Sequence, residues 1–176
     1  MEKRQMRQML RSRISEISTE QREVASREIF SEIATLPAFR NAQVVALYAA
    51  LHDEPQSREF IAEWYGRKRI VLPRVEGDVM RFYDYSPEQM ISGSFGIDEP
   101  QGPIACPPEE IDFMVVPGVG FTIEGGRMGR GKGFYDRYLS QPLFRAFTVG
   151  VCFKAQIAES LPSEPHDKGL DLVVAR

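Results

Sequence analysis

Soft metal ligands and ready nucleophiles are scarce in this sequence, which holds two cysteines, Cys106 and Cys152, and two histidines, His52 and His166. The cysteines share no metal-binding or redox spacing and have no adjacent histidine or basic activator, so a disulfide framework and a thiolate nucleophile are both unsupported. The histidines, in His52-Asp53 and His166-Asp167, lack the i,i+4 spacing of a helical metal site and are too few for a dinuclear hydrolase. No apolar run approaches the roughly 18 residues that a bilayer crossing needs. The Met1 end opens on charged residues instead of an apolar signal core. A basic excess is missing too, since the net charge is -3, and proteins that bind nucleic acid at large carry such an excess. These gaps predict a reduced, cytoplasmic chain with no membrane or nucleic-acid partner. With no internal repeat, low-complexity tract or linker, 176 residues of 43% apolar content are expected to form one domain around one core.

What is present is unevenly distributed. Basic residues concentrate as Lys3, Arg4, Arg7, Arg11 and Arg13 at the start and as Arg127, Arg130, Lys132 and Arg137 late in the chain. In an acidic protein, two such patches suggest a small polyanionic ligand. Met6, Met9, Leu10, Ile14 and Ile17 recur at three- and four-residue steps and predict an amphipathic helix over residues 2–17. Ser18 and Gln21 have capping-box spacing for a second helix over 19–35, with Val24, Ile29, Ile33 and Leu36 inward and Pro37 beyond its end. Short apolar runs follow at 44–48, 70–73, 113–116, 147–152 and 172–174, the unbroken kind that a parallel sheet covered on both faces requires. Residues 57–66 and 133–139 read as crossover helices, 79–85 as an added strand or hairpin arm, and the Pro- and Gly-rich 92–108 as a long surface connection. The expectation is an α/β fold of three layers, a mostly parallel sheet with helices on both faces.

The densest signal is the run from Gly125 to Arg137. Five glycines between Gly125 and Gly133 let backbone N–H groups turn toward a ligand, and the helix that follows adds its positive end, as a phosphate cradle needs. Gly126 to Lys132 has P-loop spacing, but Gly133 stands where a Ser or Thr hydroxyl would hold magnesium, and the segment does not directly follow a predicted strand; the Walker reading fails. Asp136 and Arg137, on the first turn of the expected helix, would supply a metal ligand and a phosphate contact. Glu54 follows the first strand, at the sheet edge where open α/β folds bind ligands, and is a candidate acceptor for the N–H groups of a heterocycle. An acid preceding a helix is its plainer alternative. Asp167 is a candidate second carboxylate for magnesium. Lys3 to Arg7 read as solvated helix surface, and Phe82, Tyr83, Tyr85 and Phe95 as core or edge packing.

In order and spacing these pieces resemble the 5-formyltetrahydrofolate cyclo-ligase family. The matching residues are Lys3-Arg4 with Arg7, Asp53-Glu54, Leu72-Pro73-Arg74-Val75, Phe95-Gly96-Ile97 with Glu99-Pro100, and Val116-Pro117-Gly118-Val119-Gly120-Phe121. The glycine run through Arg137, then Gln156, Leu161-Pro162 and His166-Asp167, complete the match. Gly120, Thr122 and Phe134 stand where the family often has Ala, Asp and Tyr. The resemblance implies a fold similar to the ribose-phosphate isomerase and coenzyme A transferase group. It also implies ATP-dependent conversion of 5-formyltetrahydrofolate to 5,10-methenyltetrahydrofolate, through phosphorylation of the formyl oxygen and ring closure by N10. ATP would be held by Lys3, Arg4 and Arg7 and by Arg127, Gly129, Arg130, Gly131, Lys132, Gly133, Phe134, Tyr135 and Asp136. Folate contacts are implied at Ala49, Glu54 and from Arg130 to Phe134, catalytic charge at Arg130 and Lys132, and Mg2+ at Asp136 and Asp167, in a monomer or weak homodimer. A phosphosugar isomerase of the same broad fold, or a noncatalytic nucleotide- or RNA-binding module, are the alternatives.

Overall fold

Helix α1 (Lys3–Ser15) buries Met6, Leu10 and Ile14 on one face, as its apolar spacing demands. The computed structural model describes residues 1–176, apart from the side chain of Ser94. Helix α2 (Thr19–Thr35) opens on the expected capping box: the Ser18 hydroxyl accepts from the Gln21 N–H at 3.1 Å, and the Gln21 side chain accepts from the Ser18 N–H at 3.0 Å. Its buried face is Ser26, Ile29, Phe30 and Ile33. Val24, expected inward, is 41% exposed, because five residues before Ile29 is a rotation of about 140° away from that face. Pro37 does end the second helix, but it also begins a third, α3 (Pro37–Asn41), where its fixed φ and missing N–H suit a first helical position.

The strands and remaining helices then follow in the order β1 (Val44–Ala46), α4 (Arg58–Trp64), β2 (Arg69–Glu76), β3 (Val79–Asp84), β4 (Met90–Ser92), β5 (Asp98–Pro100), β6 (Ala105–Cys106), β7 (Phe113–Val116), β8 (Gly120–Phe121), β9 (Arg127–Met128), α5 (Phe134–Leu139), β10 (Phe147–Cys152) and β11 (Leu172–Ala175). Seven of them form one sheet in the order β11-β10-β7-β1-β2-β3-β6. The five strands from β11 to β2 run parallel; β3 and β6 add to the edge antiparallel. Strand β1 is shorter than its apolar run, since the chain leaves the sheet at Tyr48, where the carbonyl accepts the Ser57 hydroxyl and the phenol donates to the Pro55 carbonyl. Residues 92–108 are more than a connection: β4 and β5 pair as a small hairpin, with Ile91 opposite Glu99, and β6 extends the main sheet.

Alternate residues of the strands face two cores, as a sheet covered on both sides requires. Val45, Leu47, Val115, Val149 and Val151 meet α2, α3 and α4 through Ile29, Ile33, Phe39 and Phe60. Ala46, Val71, Met114, Val116 and Cys152 meet Phe121 and Tyr138 on the other side. Helix α1 docks separately, through Met6 and Leu10 against Val119 and Met128. The run of glycines does contain a strand after all: β9 pairs with β8, Phe121 opposite Arg127. Gly125 makes this tight turn at φ +104, where an added Cβ would overlap the Leu170 carbonyl oxygen. Among the described residues, no helix is long and apolar enough to cross a membrane.

Candidate functional site

Strand β1 has β2 on one side and β7 on the other, so the chain departs in opposite directions from neighbouring strand ends and opens a crevice there. Into that crevice come the turn after β1, residues Pro117 and Gly118 after β7, the glycine run, the first turns of α1, and the loop around Asp167. Together they enclose a cavity of about 820 Å³. Lys3, Arg4, Arg7, Ala49, Glu54 and Asp167 all line it, as do Arg127 and every residue from Gly129 to Asp136. Basic segments far apart in the sequence thus share one wall.

Glu54 is 4% exposed and faces Arg130, whose Nη2 donates to Glu54 Oε1 at 3.0 Å and to Asp53 Oδ1 at 2.6 Å. Burial pushes the Glu54 carboxyl up from 4.5 to about 7, with the Arg130 charge working against that rise. Burial would also raise Asp53, yet the hydrogen bond and charge of Arg130 overcome it and hold Asp53 below the ordinary carboxylate range. Two carboxylates on one loop therefore differ in kind: Asp53 is a firm anion bound to arginine, and Glu54 is an acceptor that titrates near neutrality.

The glycine-run side of the cavity is assembled by backbone and charge. Arg7 Nε donates to the Gly129 carbonyl at 2.8 Å, tying α1 to the glycine run. Gly131 turns at φ +114, and a side chain there would approach the Arg7 guanidinium. Arg127 donates to the Pro117 carbonyl at 2.8 Å and lies 4.9 Å over the Tyr135 ring, while Lys132 is exposed at the mouth. Lys3 and Arg7 are partly buried, so the expectation of a solvated surface fails for them. Their helix packs its apolar face on the hairpin, and this turns the adjacent basic positions into the cavity. Arg137, expected to contact phosphate, is instead held outside by the carbonyls of Lys132 and Asp78 at 2.9 and 3.0 Å. Tyr83 and Phe82 pack as expected, but Phe95 is 60% exposed at the cavity rim, its ring 6.5 Å from that of Phe134.

The carboxylates suit a hard cation. Asp136 and Asp167 border the same cavity, and donor atoms of Glu164, His166 and Asp167 lie within 4.8 Å of one another. Lys3 Nζ donates to Asp167 Oδ2 at 2.9 Å and lies 3.4 Å from Glu164. Oxygen donors on a polyphosphate-sized basic cavity fit magnesium, which takes one or two carboxylates and keeps water. Glu164 and the anchoring part of Asp53 had no signal in the sequence beyond being acids beside marked residues. Phe95 was visible as an aromatic but not as an exposed one.

The profile of the 5-formyltetrahydrofolate cyclo-ligase family matches residues 1–176. The 5-formyltetrahydrofolate cyclo-ligase of Haemophilus influenzae is 31% identical, over 97% of this chain and 98% of its own, and that of Mus musculus is 26% identical over 98% and 92%. The 5,10-methenyltetrahydrofolate synthetase of Aquifex aeolicus superposes with a TM-score of 0.88 at 37% identity, covering 99% of this chain and 90% of the other. That of Mycoplasma pneumoniae superposes at 0.76 with 28% identity and 98% of both chains. By its whole-length match and by the architecture around its cavity, the chain belongs to the 5-formyltetrahydrofolate cyclo-ligase family.

Proposed function

We infer that this protein converts 5-formyltetrahydrofolate to 5,10-methenyltetrahydrofolate at the expense of ATP, releasing ADP and phosphate. The observation that carries the reading is the joining of two unlike halves in one cavity, a buried acceptor at Glu54 and a basic glycine cradle reached by α1. The formyl oxygen of an amide is a poor leaving group; once phosphorylated it departs as phosphate. Phosphoryl transfer asks the protein mainly for positioning and charge neutralisation. Lys3, Arg4, Arg7 and Arg127, with the amides from Gly129 to Gly133, receive the phosphates, and the first turn of α5 brings Phe134, Tyr135 and Asp136 to the same ligand. Magnesium, held by Asp136 and Asp167, would supply further positive charge to the phosphate oxygens.

Glu54 and Ala49 receive the reduced ring, whose N–H edge needs paired acceptors. Arg130, already bonded to Glu54, then stands between the ring and the cradle, and with Lys132 it balances charge that develops on the oxygen being phosphorylated. Attack of N10 on the activated carbon is intramolecular and closes a five-membered ring, so holding the folate folded captures most of the proximity gain. The same reading makes this a one-domain cytoplasmic enzyme, monomeric or weakly dimeric. Its test is direct: purified protein with 5-formyltetrahydrofolate and magnesium-ATP should develop the near-ultraviolet absorbance of the methenyl product. No absorbance change, or the same change without ATP, overturns it.

A further inference from the structure

We infer that Asp53 is a positioning residue for this reaction, anchoring the Arg130 guanidinium at two points so that one oxygen of Glu54 stays free to accept from the folate. The inference rests on the reading of Glu54 as the folate acceptor and extends it to a residue outside the cavity wall. Arg130 Nη2 bonds Asp53 Oδ1 at 2.6 Å and Nη1 reaches Asp53 Oδ2 at 3.3 Å, the fork geometry in which guanidinium and carboxylate hold each other's orientation. Glu54 receives a single bond from the same guanidinium, on Oε1. No second side chain donates to Glu54, which is 5% exposed and lines the cavity, so the part of the carboxylate that Arg130 leaves open borders the ligand space. A carboxylate oxygen that borders a cavity with no side-chain donor is an acceptor open to a ligand.

The alternative arrangement shows what Asp53 does. One cation between two anions leaves a net negative charge, and Asp53 takes the two-point share of the arginine. Remove that carboxylate and the guanidinium has one anion left, so it swings fully onto Glu54, engages both oxygens and competes with the folate donors. Asp53 thus acts through Arg130 and on Glu54 without touching the substrate. The other groups near Glu54 are the Leu51 backbone on its own loop, Tyr48 at the end of β1, Arg127 on β9 and Tyr135 on α5, and none of them holds Arg130.

The test compares Asp53→Asn and Asp53→Ala with the parent protein, alone and in an Arg130→Ala background. The expected result is a loss of at least about tenfold in kcat/KM for 5-formyltetrahydrofolate, about 1.4 kcal/mol, with KM for ATP little changed. The acid limb of the kcat/KM profile should move to lower pH, because a negative neighbour has gone and arginine has closed on Glu54. In the Arg130→Ala background, Asp53→Asn should change the calorimetric affinity for 5-formyltetrahydrofolate far less than it does in the parent protein, since only the direct charge of Asp53 on Glu54 is left to lose. Parental kcat/KM, an unmoved acid limb, or an equal loss in both backgrounds overturns the inference. So does failure of both Asp53 variants to fold, which makes the residue purely structural. If the parent protein itself gives no turnover, the parent reading is what has failed, and calorimetry with 5-formyltetrahydrofolate still decides the role of Asp53.

Discussion

At the scale of single residues, Glu54 ties stability to function. Burial lifts its carboxyl from 4.5 to about 7, so between those pH values the folded protein keeps a proton that the unfolded chain has released. Stability from this group therefore falls as pH rises through that window, by on the order of 3 kcal/mol. Glu54→Gln has no such slope, and its thermal midpoint should gain on the parent protein between pH 5 and 8. With Glu54 as the proposed folate acceptor, the same substitution turns an acceptor into a donor facing the donors of the folate, at about 1–3 kcal/mol per unsatisfied group. Calorimetry should show strong loss of 5-formyltetrahydrofolate binding with ATP binding retained; the reverse pattern would assign Glu54 to the wrong ligand. Lys132 has the opposite profile, exposed and flanked by glycines. Lys132→Ala should raise KM for ATP about tenfold or more, the worth of a charge-assisted phosphate contact, while the thermal midpoint stays within a degree or two. An unchanged KM would remove it from the phosphate cradle.

Elements explain how residues so placed are held. Gln156 is fully buried and bonds three backbone groups, the Phe153 N–H at 2.9 Å and the carbonyls of Gly118 and Val119 at 2.9 and 3.1 Å. It fastens the turn after β7, one wall of the cavity, to the end of β10. Gln156→Leu strands all three groups, and a loss of roughly 3 kcal/mol or more is expected in denaturant unfolding; a loss below about 1 kcal/mol would mean that water replaces the amide. Helices α1 and α2 were legible because a 3.6-residue period and a capping box are local signals, and the long parallel strands because apolar runs announce burial on both sides. The β8–β9 hairpin was not, since its strands are two residues each and its tip carries the exposed Ile123. A hairpin so short owes its pairing to what packs on it, here α1 and Leu170. The inward turn of Lys3 and Arg7 was illegible for a related reason: basic residues on a helix look the same in sequence whether they face water or a cavity, so their clustering suggested a polyanion and only the family resemblance singled out these positions.

Across the whole molecule, the cavity draws on segments from both ends of the described chain, so ligands should tighten everything at once. Saturating ATP or 5-formyltetrahydrofolate at about 100 times its dissociation constant contributes about 2.7 kcal/mol, which for a chain of this size means a rise of about 5–10 °C in thermal midpoint. A rise confined to one ligand would show that the halves of the cavity are not both functional in the free protein. The Lys3–Asp167 ion pair joins residues 164 positions apart, and contacts of that range cannot form early. During folding, α1 keeps its basic residues unanswered until the loop carrying Asp167 comes back against it. A fragment cut just before Asp167 would therefore have most of its sheet and no closed site. Catalytic competence should appear late and abruptly in refolding, and fragments of this chain should gain it only when the missing piece is supplied in trans.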